Sequence, residues 1–139
     1  AALPASIAIF AAAVADWRIA DVAGGKIKKG PGGPPTLAFV ENPDILATIS
    51  KRPTDRPLLV VGFAAETENV VDNARAKLAR KGCDLIVAND VATGTGTFGG
   101  DSNTVHLVTA DGVETWERQS KDAVAAALVS RIAGRIAAR

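Results

Sequence analysis

The sequence contains a single cysteine and no methionine. One cysteine, Cys83, excludes an internal disulfide framework and any metal site built from several cysteines. An unpaired cysteine also fits a reducing compartment, so we predict a cytoplasmic protein. Because methionine is absent, we expect the chain to be a fragment or a processed piece of a longer protein.

Strong net charge and long apolar runs are also absent. The net charge of +1 at pH 7 gives no field that would attract nucleic acid or an acidic membrane. No apolar run approaches the roughly 20 residues that span a bilayer. With 47% hydrophobic side chains, 139 residues can bury the core of one domain. We therefore predict one domain over residues 1–139 that binds neither nucleic acid nor membrane, and that recognises any anion through local lysine clusters.

Three short apolar runs lack alternation, which is typical of strands buried on both faces of a parallel sheet. These runs cover residues 7–14, 58–65 and 85–88. Between the last two, Val70, Ala74 and Leu78 fall on one helical stripe and Gly82 supplies a stop, which predicts a βαβ unit. Asn42 is expected to cap another helix, running to about residue 51, with Pro43 in its first turn.

The last third of the sequence changes character. Residues 104–118, "TVHLVTADGVETWER", alternate around Asp111 and Gly112 and predict an antiparallel hairpin. Ser120 is expected to cap a closing helix with one apolar face, made of Val124, Leu128, Ile132 and Ile136. The predicted fold is α/β: a Rossmann-like three-layer fold with a mainly parallel sheet, plus a C-terminal β-hairpin and closing helix.

Polar side chains follow each predicted buried strand. Asp16 follows the first strand, Glu66 the second, and Asn89 and Asp90 the third. The carboxyl ends of parallel strands meet at one edge, where open α/β folds bind ligands. Strand ends are also polar simply because they meet water, and Glu66 is equally compatible with a metal ligand and a helix-start residue.

Two lysine clusters indicate a polyanion. Asn73, Lys77 and Lys81 are spaced by four residues and share one side of a helix. Lys26 and Lys28 of "KIKK" would point to one side of an extended segment, ahead of a Gly/Pro-rich stretch that we interpret as a mobile loop. Taken alone, the helical cluster is better explained by a solvated face, and the "KIKK" lysines by protection of a strand edge. Together they favour a nucleoside triphosphate.

Other candidate sites carry less weight. The sequence has neither a Walker A motif nor GxGxxG, and the glycine-rich residues 94–100 precede a hairpin, the wrong context for a dinucleotide fingerprint. We interpret His106 as an ordinary strand residue. Cys83, at the turn into a buried strand, is interpreted as a small apolar filler.

Several collinear segments resemble phosphopantothenoylcysteine synthetase, the ligase half of a bifunctional bacterial coenzyme A biosynthesis flavoprotein. They are "AAAVADWR", "KIKK" with Lys26 ten residues beyond Asp16, "NPDI", "GFAAET", the helix carrying Lys77 and Lys81, and "LIVAND". The resemblance covers nearly the whole chain. It also implies that the amino-terminal part of the family domain is absent from these 139 residues.

The resemblance implies a CTP-dependent ligase. The carboxylate of 4'-phosphopantothenate would attack the α-phosphate of CTP, and the amine of cysteine would then displace CMP from the acyl-cytidylate. Mg²⁺ and lysines would neutralise the charges that meet in this reaction. The resemblance further implies a homodimer. We expect the strand at residues 36–40 and the lysine segment to join the contact, because an exposed edge strand invites pairing. FMN would be present only if a decarboxylase domain is fused upstream.

The site residues implied by the resemblance are spread along the chain. CTP contacts are expected at Phe10, Ala11, Ala12, Asp16, Lys26, Asn42, Pro43, Asp44, Ile45, Phe63, Lys77 and Lys81. Asp16 would also bind the metal, and Lys26 would hold the phosphates and act in catalysis. Two other classes of function stay open: a noncatalytic nucleotide-binding or regulatory module, and an assembly domain whose lysines only keep it soluble.

Overall fold

The computed structural model describes residues 3–21, 24–25, 28, 33, 36–92 and 100–138. In chain order, the elements are β1 (Ile7–Phe10), β2 (Trp17–Ile19), β3 (Phe39–Glu41), α1 (Ile45–Ser50), β4 (Leu59–Glu66), α2 (Val70–Lys81), β5 (Leu85–Asp90), β6 (Ser102–Thr109), β7 (Gly112–Ser120) and α3 (Lys121–Ala137). They form two compact units, one of residues 1–11 with 45–139 and one of residues 12–44. This division was not predicted from the sequence.

The first unit is built on a five-stranded sheet with the order β1-β4-β5-β6-β7. β1, β4 and β5 pair in parallel, and β6 and β7 continue the sheet in antiparallel fashion. Because successive strand residues point to opposite faces, the sheet has two apolar surfaces. One face packs against α1 and α2 around Val60 and Ile86, and the other packs against α3 around Val61 and Val87. The predicted three-layer α/β fold is confirmed.

The predicted strand at residues 7–14 is partly wrong. β1 ends at Phe10, because the chain then leaves the sheet for the second unit. Among the described strands, β1 has a single neighbour, β4. Its apolar side chains are not buried on both faces, since Ile7 is 36% exposed and Ile9 49% exposed. β4 and β5, which each lie between two neighbours, have the double-sided burial that the sequence predicts.

The ends of α2 and α3 follow their sequence signals. Gly82 closes α2 in the left-handed region, at φ 72°, and donates its amide to the Leu78 carbonyl at 2.9 Å. The hydroxyl of Ser120 accepts the Ala123 amide at 3.1 Å, as a cap does. The predicted cap of α1 is wrong, because this helix begins at Ile45 and the Asn42 side chain has other partners.

The C-terminal hairpin is confirmed and longer than predicted. Its turn joins β6 and β7, and His106 Nδ1 lies 2.9 Å from Thr115 Oγ1 on the neighbouring strand. His106 is thus an ordinary strand residue. The ladder shifts register between Asn103 and Val105, and the outer strand carries charged side chains. Both features discourage another strand from adding to this edge.

An arginine–carboxylate pair joins three chain segments at the amino-terminal edge of the sheet. Asp84 Oδ2 accepts the Val60 amide at 2.7 Å and Arg56 Nη2 at 3.0 Å. Arg56 also donates to the carbonyl of Ser50, the last residue of α1, at 2.7 Å. The pair therefore fixes the end of α1 against the starts of β4 and β5.

Cys83 packs in the core beside α2, as predicted for a small apolar filler. Burial raises the pKa of its thiol above the ordinary value of 9.0. The unfolded chain therefore releases the thiol proton at lower pH than the folded chain does. The stability that the protonated thiol contributes is fully present below pH 9 and is lost as pH rises through the folded-state pKa.

We expect Cys83→Ala to flatten the fall in stability above pH 9. The measurement is urea unfolding at several pH values between 8 and 10.5, followed by tryptophan fluorescence. The free energy of unfolding should decline more steeply with pH in the wild-type chain than in the variant. Parallel curves for the two proteins would contradict this expectation.

The second unit contains an antiparallel ribbon of β2 and β3, with Trp17 opposite Glu41 and Ile19 opposite Phe39. The predicted strand at residues 36–40 is displaced, since β3 covers Phe39–Glu41. Trp17 is 56% exposed and Phe39 59% exposed. Cross-strand partners point to the same face, so Trp17, Ile19 and Phe39 lie together on one side of the ribbon, with Glu41 at the end of that side. This mainly apolar surface is named the ribbon face here.

Candidate functional site

The carboxyl edge of the sheet in the first unit is stepped. β1 ends where Phe10 pairs with Gly62, whereas β4 continues to Glu66 and β5 to Asp90. Glu66 and Asp90 are register partners, so two carboxylates stand side by side beyond the end of β1. The predicted gathering of polar groups at this edge is confirmed for Glu66, Asn89 and Asp90. Asp16 belongs to the second unit.

Lys77 reaches from α2 to the last part of β4. Its Nζ donates to the Phe63 carbonyl at 2.9 Å, and the side chain is half-buried. Phe63 follows the last residue of β4 that pairs with β1, so this carbonyl lies at the step in the sheet edge. The carbonyl is neutral, and within the part of the chain that the structure describes no carboxylate pairs with this ammonium group. Two residues that the sequence predicts as CTP contacts, Lys77 and Phe63, are thus brought together.

Asn73 and Lys81 lie one helical turn before and one after Lys77. Asn73 Nδ2 donates to Glu66 Oε2 at 3.2 Å and to the Glu68 carbonyl at 3.0 Å, which ties the end of β4 to the start of α2. Lys81 is half-buried. Asn73, the first member of the predicted stripe, therefore lies at the carboxyl edge of the sheet. Its hydrogen bond to Glu66 holds the start of α2 at that edge.

Asp90 has a local partner as well. Its Oδ1 accepts the Ala92 amide at 2.8 Å, the pattern of an Asx turn. This bond shapes the exit of the chain from β5. Phe10 packs against the core beneath the same edge, and Ala11 follows it, exposed.

In the second unit, Asp16 and Asn42 are held together. The Asn42 amide donates to the Asp16 carbonyl at 2.8 Å, and Asn42 Nδ2 donates to the Ala15 carbonyl at 2.7 Å. Ala12, Asp16, Pro43 and Asp44 of this unit are exposed, as is Ile45 at the start of α1. A ligand could therefore reach Asp16 and residues 43–45, and their assignment as CTP contacts stays a prediction.

Several sequence predictions fall on residues outside those that the structure describes. They are Lys26, Ile27 and Lys29 of the "KIKK" segment, most of the Gly/Pro-rich stretch that follows it, and residues 93–99 of the glycine-rich stretch. The assignment of Lys26 as the catalytic lysine stays a prediction.

Mg²⁺ binds to oxygen ligands, which carboxylate side chains supply. Among the described residues, no group of three His, Cys, Asp or Glu side chains could hold a metal ion. Mg²⁺ does not require such a cage, because it usually binds one or two carboxylates together with water and phosphate oxygens. The exposed carboxylate of Asp16 fits that pattern, and the ion would then depend on nucleotide for its remaining ligands.

A groove with a volume of about 1090 Å³ lies elsewhere, between β7 and α3. Its walls are linked by ion pairs, with Arg131 Nη2 2.6 Å from Glu114 Oε2 and Arg135 Nη2 3.8 Å from Asp111 Oδ2. Because these cations already have carboxylate partners, we do not place an anion site there.

Sequence reasoning missed Arg18. Its Nη1 donates to the Glu41 carbonyl at 2.9 Å and to Asn42 Oδ1 at 3.1 Å. These partners lie 23 and 24 residues away in the sequence, beyond any local periodicity. A charged residue between the apolar Trp17 and Ile19 was the one available signal.

None of the helices in the described part of the chain is both long enough and apolar enough to cross a bilayer.

Comparison with known proteins gives consistent results. The family model described as DNA/pantothenate metabolism flavoprotein C-terminal domain matches residues 1–136. The "Coenzyme A biosynthesis bifunctional protein CoaBC" of Mycobacterium tuberculosis H37Rv is 44% identical over 137 residues, covering 92% of this chain and 32% of the relative. The protein of the same name from Escherichia coli K12 is 45% identical over 132 residues, covering 94% of this chain and 32% of the relative. The chain thus spans about a third of the length of these relatives.

Solved structures agree on the fold. The C-terminal domain of a Coenzyme A biosynthesis bifunctional protein CoaBC superposes with a TM-score of 0.70 at 30% identity, covering 96% of this chain and 56% of that one. The DNA/pantothenate metabolism flavoprotein of Streptococcus pneumoniae gives a TM-score of 0.68 at 21% identity, covering 94% of this chain and 63% of that one, a likeness of fold. The resemblance seen in the sequence is confirmed, and the chain belongs to the family of DNA/pantothenate metabolism flavoprotein C-terminal domains.

Proposed function

We propose that the chain is the CTP-binding part of a ligase that joins 4'-phosphopantothenate to cysteine in coenzyme A biosynthesis. The observation that carries this proposal is the 44–45% identity, over more than nine-tenths of the chain, to relatives named as coenzyme A biosynthesis proteins. Since the chain spans a third of those relatives, residues outside it are proposed to complete the reaction. These include the amino-terminal part of the family domain. Where a decarboxylase domain is fused upstream, FMN is proposed to bind that domain.

The chemistry requires cations close to the reacting phosphate. A carboxylate that attacks the α-phosphate of CTP approaches a polyanion, so fixed positive groups must offset the repulsion. The ammonium group of Lys77 at the carboxyl edge, whose partner among the described residues is a neutral carbonyl, supports such a role. We assign to Lys26 and Lys81 the same task on the phosphates. Asn42–Ile45 and Phe63 are assigned to cytosine and ribose, and Phe10, Ala11 and Ala12 to the lining of the nucleotide site.

Mg²⁺, when bound, would withdraw charge from the phosphate oxygens and orient them for in-line attack. Asp16 is the residue proposed to hold it. Its carboxylate is exposed, and its backbone is fixed by Asn42. We propose that the reaction takes place in the cytoplasm, where the single reduced cysteine is stable.

Calorimetry with nucleotides tests the proposal. CTP with Mg²⁺ should bind the wild-type chain more tightly than ATP with Mg²⁺. Lys26→Ala should weaken CTP binding at least about tenfold, the low end of the range for the loss of one charge-assisted contact. Equal affinities for CTP and ATP would instead identify a general nucleotide-binding module. Absence of binding heat, with no protection of the chain against thermal unfolding by CTP, would identify an assembly domain.

We propose that a second copy of the chain covers the ribbon face. A two-stranded ribbon has little stability in water unless its apolar side is covered. Here Trp17, Ile19 and Phe39 are 56%, 37% and 59% exposed on one side of it. A homodimer would bury these side chains against their own copies.

Phe39→Ser is expected to raise the dimer dissociation constant at least about tenfold, because large aromatic side chains dominate interface energies. Sedimentation equilibrium over a range of protein concentrations measures this constant. Val129→Ser is the matched control, since Val129 is an apolar residue of α3 with 65% exposure. A dimer unaffected by Phe39→Ser, or weakened equally by both substitutions, would contradict the proposal.

A further inference from the structure

The side of the β2–β3 ribbon opposite the ribbon face carries Arg18 and its cross-strand partner Val40. Arg18 Nη1 donates to the Glu41 carbonyl at 2.9 Å and to Asn42 Oδ1 at 3.1 Å. Both acceptors are neutral, so the guanidinium neutralises no charge at these contacts. Its role there is to orient the two acceptor groups. Its fixed planar geometry allows it to hold a backbone and a side-chain oxygen together.

This contact fixes the orientation of the Asn42 amide. Arginine can only donate hydrogen bonds, so the atom of Asn42 that faces it must be Oδ1. Nδ2 then faces the Ala15 carbonyl, to which it donates at 2.7 Å. The assignment of oxygen and nitrogen in this amide therefore follows from its neighbours.

Asn42 in turn fixes the segment that carries Asp16. Its side chain holds the Ala15 carbonyl, and its backbone amide holds the Asp16 carbonyl at 2.8 Å. Two adjacent peptide units are thus anchored to one residue. Rotation of the Asn42 side chain would release one of these anchors and give the Asp16 backbone more freedom.

We infer that Arg18 is a positioning residue for nucleotide binding: through Asn42, it places Asp16 beside residues 42–44. This inference rests on the proposed function, in which Asp16 and residues 42–45 contact CTP and its metal ion. Arg18 itself does not touch the nucleotide. Its effect on affinity is transmitted through the position of the Asp16 carboxylate.

A double-mutant cycle on the 139-residue chain separates positioning from direct binding. Calorimetry with CTP and Mg²⁺ is carried out on the wild type, Arg18→Gln, Asp16→Ala and the double variant. We expect Arg18→Gln to weaken binding about tenfold in the wild-type background and less than about twofold in the Asp16→Ala background, because residues that act through one another are not additive. Additive losses would overturn the inference.

Arg18→Lys tests the geometry of the contact. Lysine retains the charge and lacks the planar fork, so we expect about the same tenfold loss as in Arg18→Gln. Wild-type affinity in Arg18→Lys would show that charge alone matters and would overturn the inference. Arg131→Gln removes an exposed arginine whose partner is Glu114 and should leave CTP affinity unchanged.

Hydrogen exchange of the Asn42 backbone amide gives a readout that does not require nucleotide. In Arg18→Gln this amide should exchange about tenfold faster, while amides of β4 and β5 keep their protection. Unchanged exchange at Asn42 would overturn the positioning role even if CTP binds. Faster exchange in a chain that fails to bind CTP would instead overturn the proposed function and support the link from Arg18 to Asn42.

Discussion

Replacement of Lys77 by methionine is expected to weaken CTP binding about 30-fold, the effect of losing one charge-assisted contact of about 2 kcal/mol. Methionine keeps most of the length and apolar surface of the lysine stem. The Lys77 ammonium group donates to the neutral Phe63 carbonyl at the stepped edge of the sheet. Its charge is therefore available to phosphate oxygens, and the variant removes that charge while it retains the packing.

The fold should survive this change. The contact between Lys77 and Phe63 is a single, half-buried hydrogen bond, so the free energy of unfolding should fall by less than about 1 kcal/mol. Arg75→Met is the matched control, because Arg75 is an exposed cation on the opposite side of the same helix. If both variants lose affinity equally, the general charge of α2 attracts the nucleotide and the assigned contact is wrong.

Asp84→Ala should produce the largest loss of stability, about 3 kcal/mol. The substitution leaves the Val60 amide without its acceptor in a fully buried strand, and it removes the carboxylate partner of Arg56. Arg56 would then retain only carbonyl partners in a site where it is largely shielded from water. Urea unfolding followed by circular dichroism measures the effect.

Glu114→Gln provides the comparison for an exposed ion pair. Glu114 and Arg131 are 44% and 53% exposed in their side chains, so this loss should stay below about 1 kcal/mol. Similar losses for Asp84→Ala and Glu114→Gln would show that the Val60 amide contributes little. The difference between the two variants thus reports the combined cost of leaving the buried Val60 amide without an acceptor and the shielded Arg56 without its carboxylate.

Elements whose signals are local were predicted well from the sequence. The stop at Gly82, the cap at Ser120 and the hairpin turn at Asp111 each depend on residues that are close neighbours in the sequence. The burial of β4 and β5 could also be predicted, because an unbroken apolar run leaves no polar face for water. β1 has a similar composition, but its exposure depends on how many strands flank it, and a run of residues does not encode that number.

The sequence predicted those parts of the candidate site whose residues recur at helical spacing, and it did not predict contacts between distant segments. Four-residue spacing brought out Asn73, Lys77 and Lys81, and the structure adds the partner carbonyl at Phe63. The network of Arg18 and Asn42 was missed because it joins strands separated by more than 20 residues. The same separation explains the wrong cap: Asn42 was assigned to the helix that follows it, whereas its side chain bonds backward to Ala15.

The two sides of the β2–β3 ribbon have a consequence for insertions and deletions. One extra residue within Trp17–Ile19 would turn the side chains that follow it to the opposite face. An apolar side chain would then stand in the place from which Arg18 contacts Asn42. A change of length between residues 21 and 37 lies outside the ladder that ends at the bond from Ala20 to Ala38, and leaves the pairing intact. Homologous chains should therefore vary in length across the connection while the spacing from Asp16 to Ile19 stays fixed.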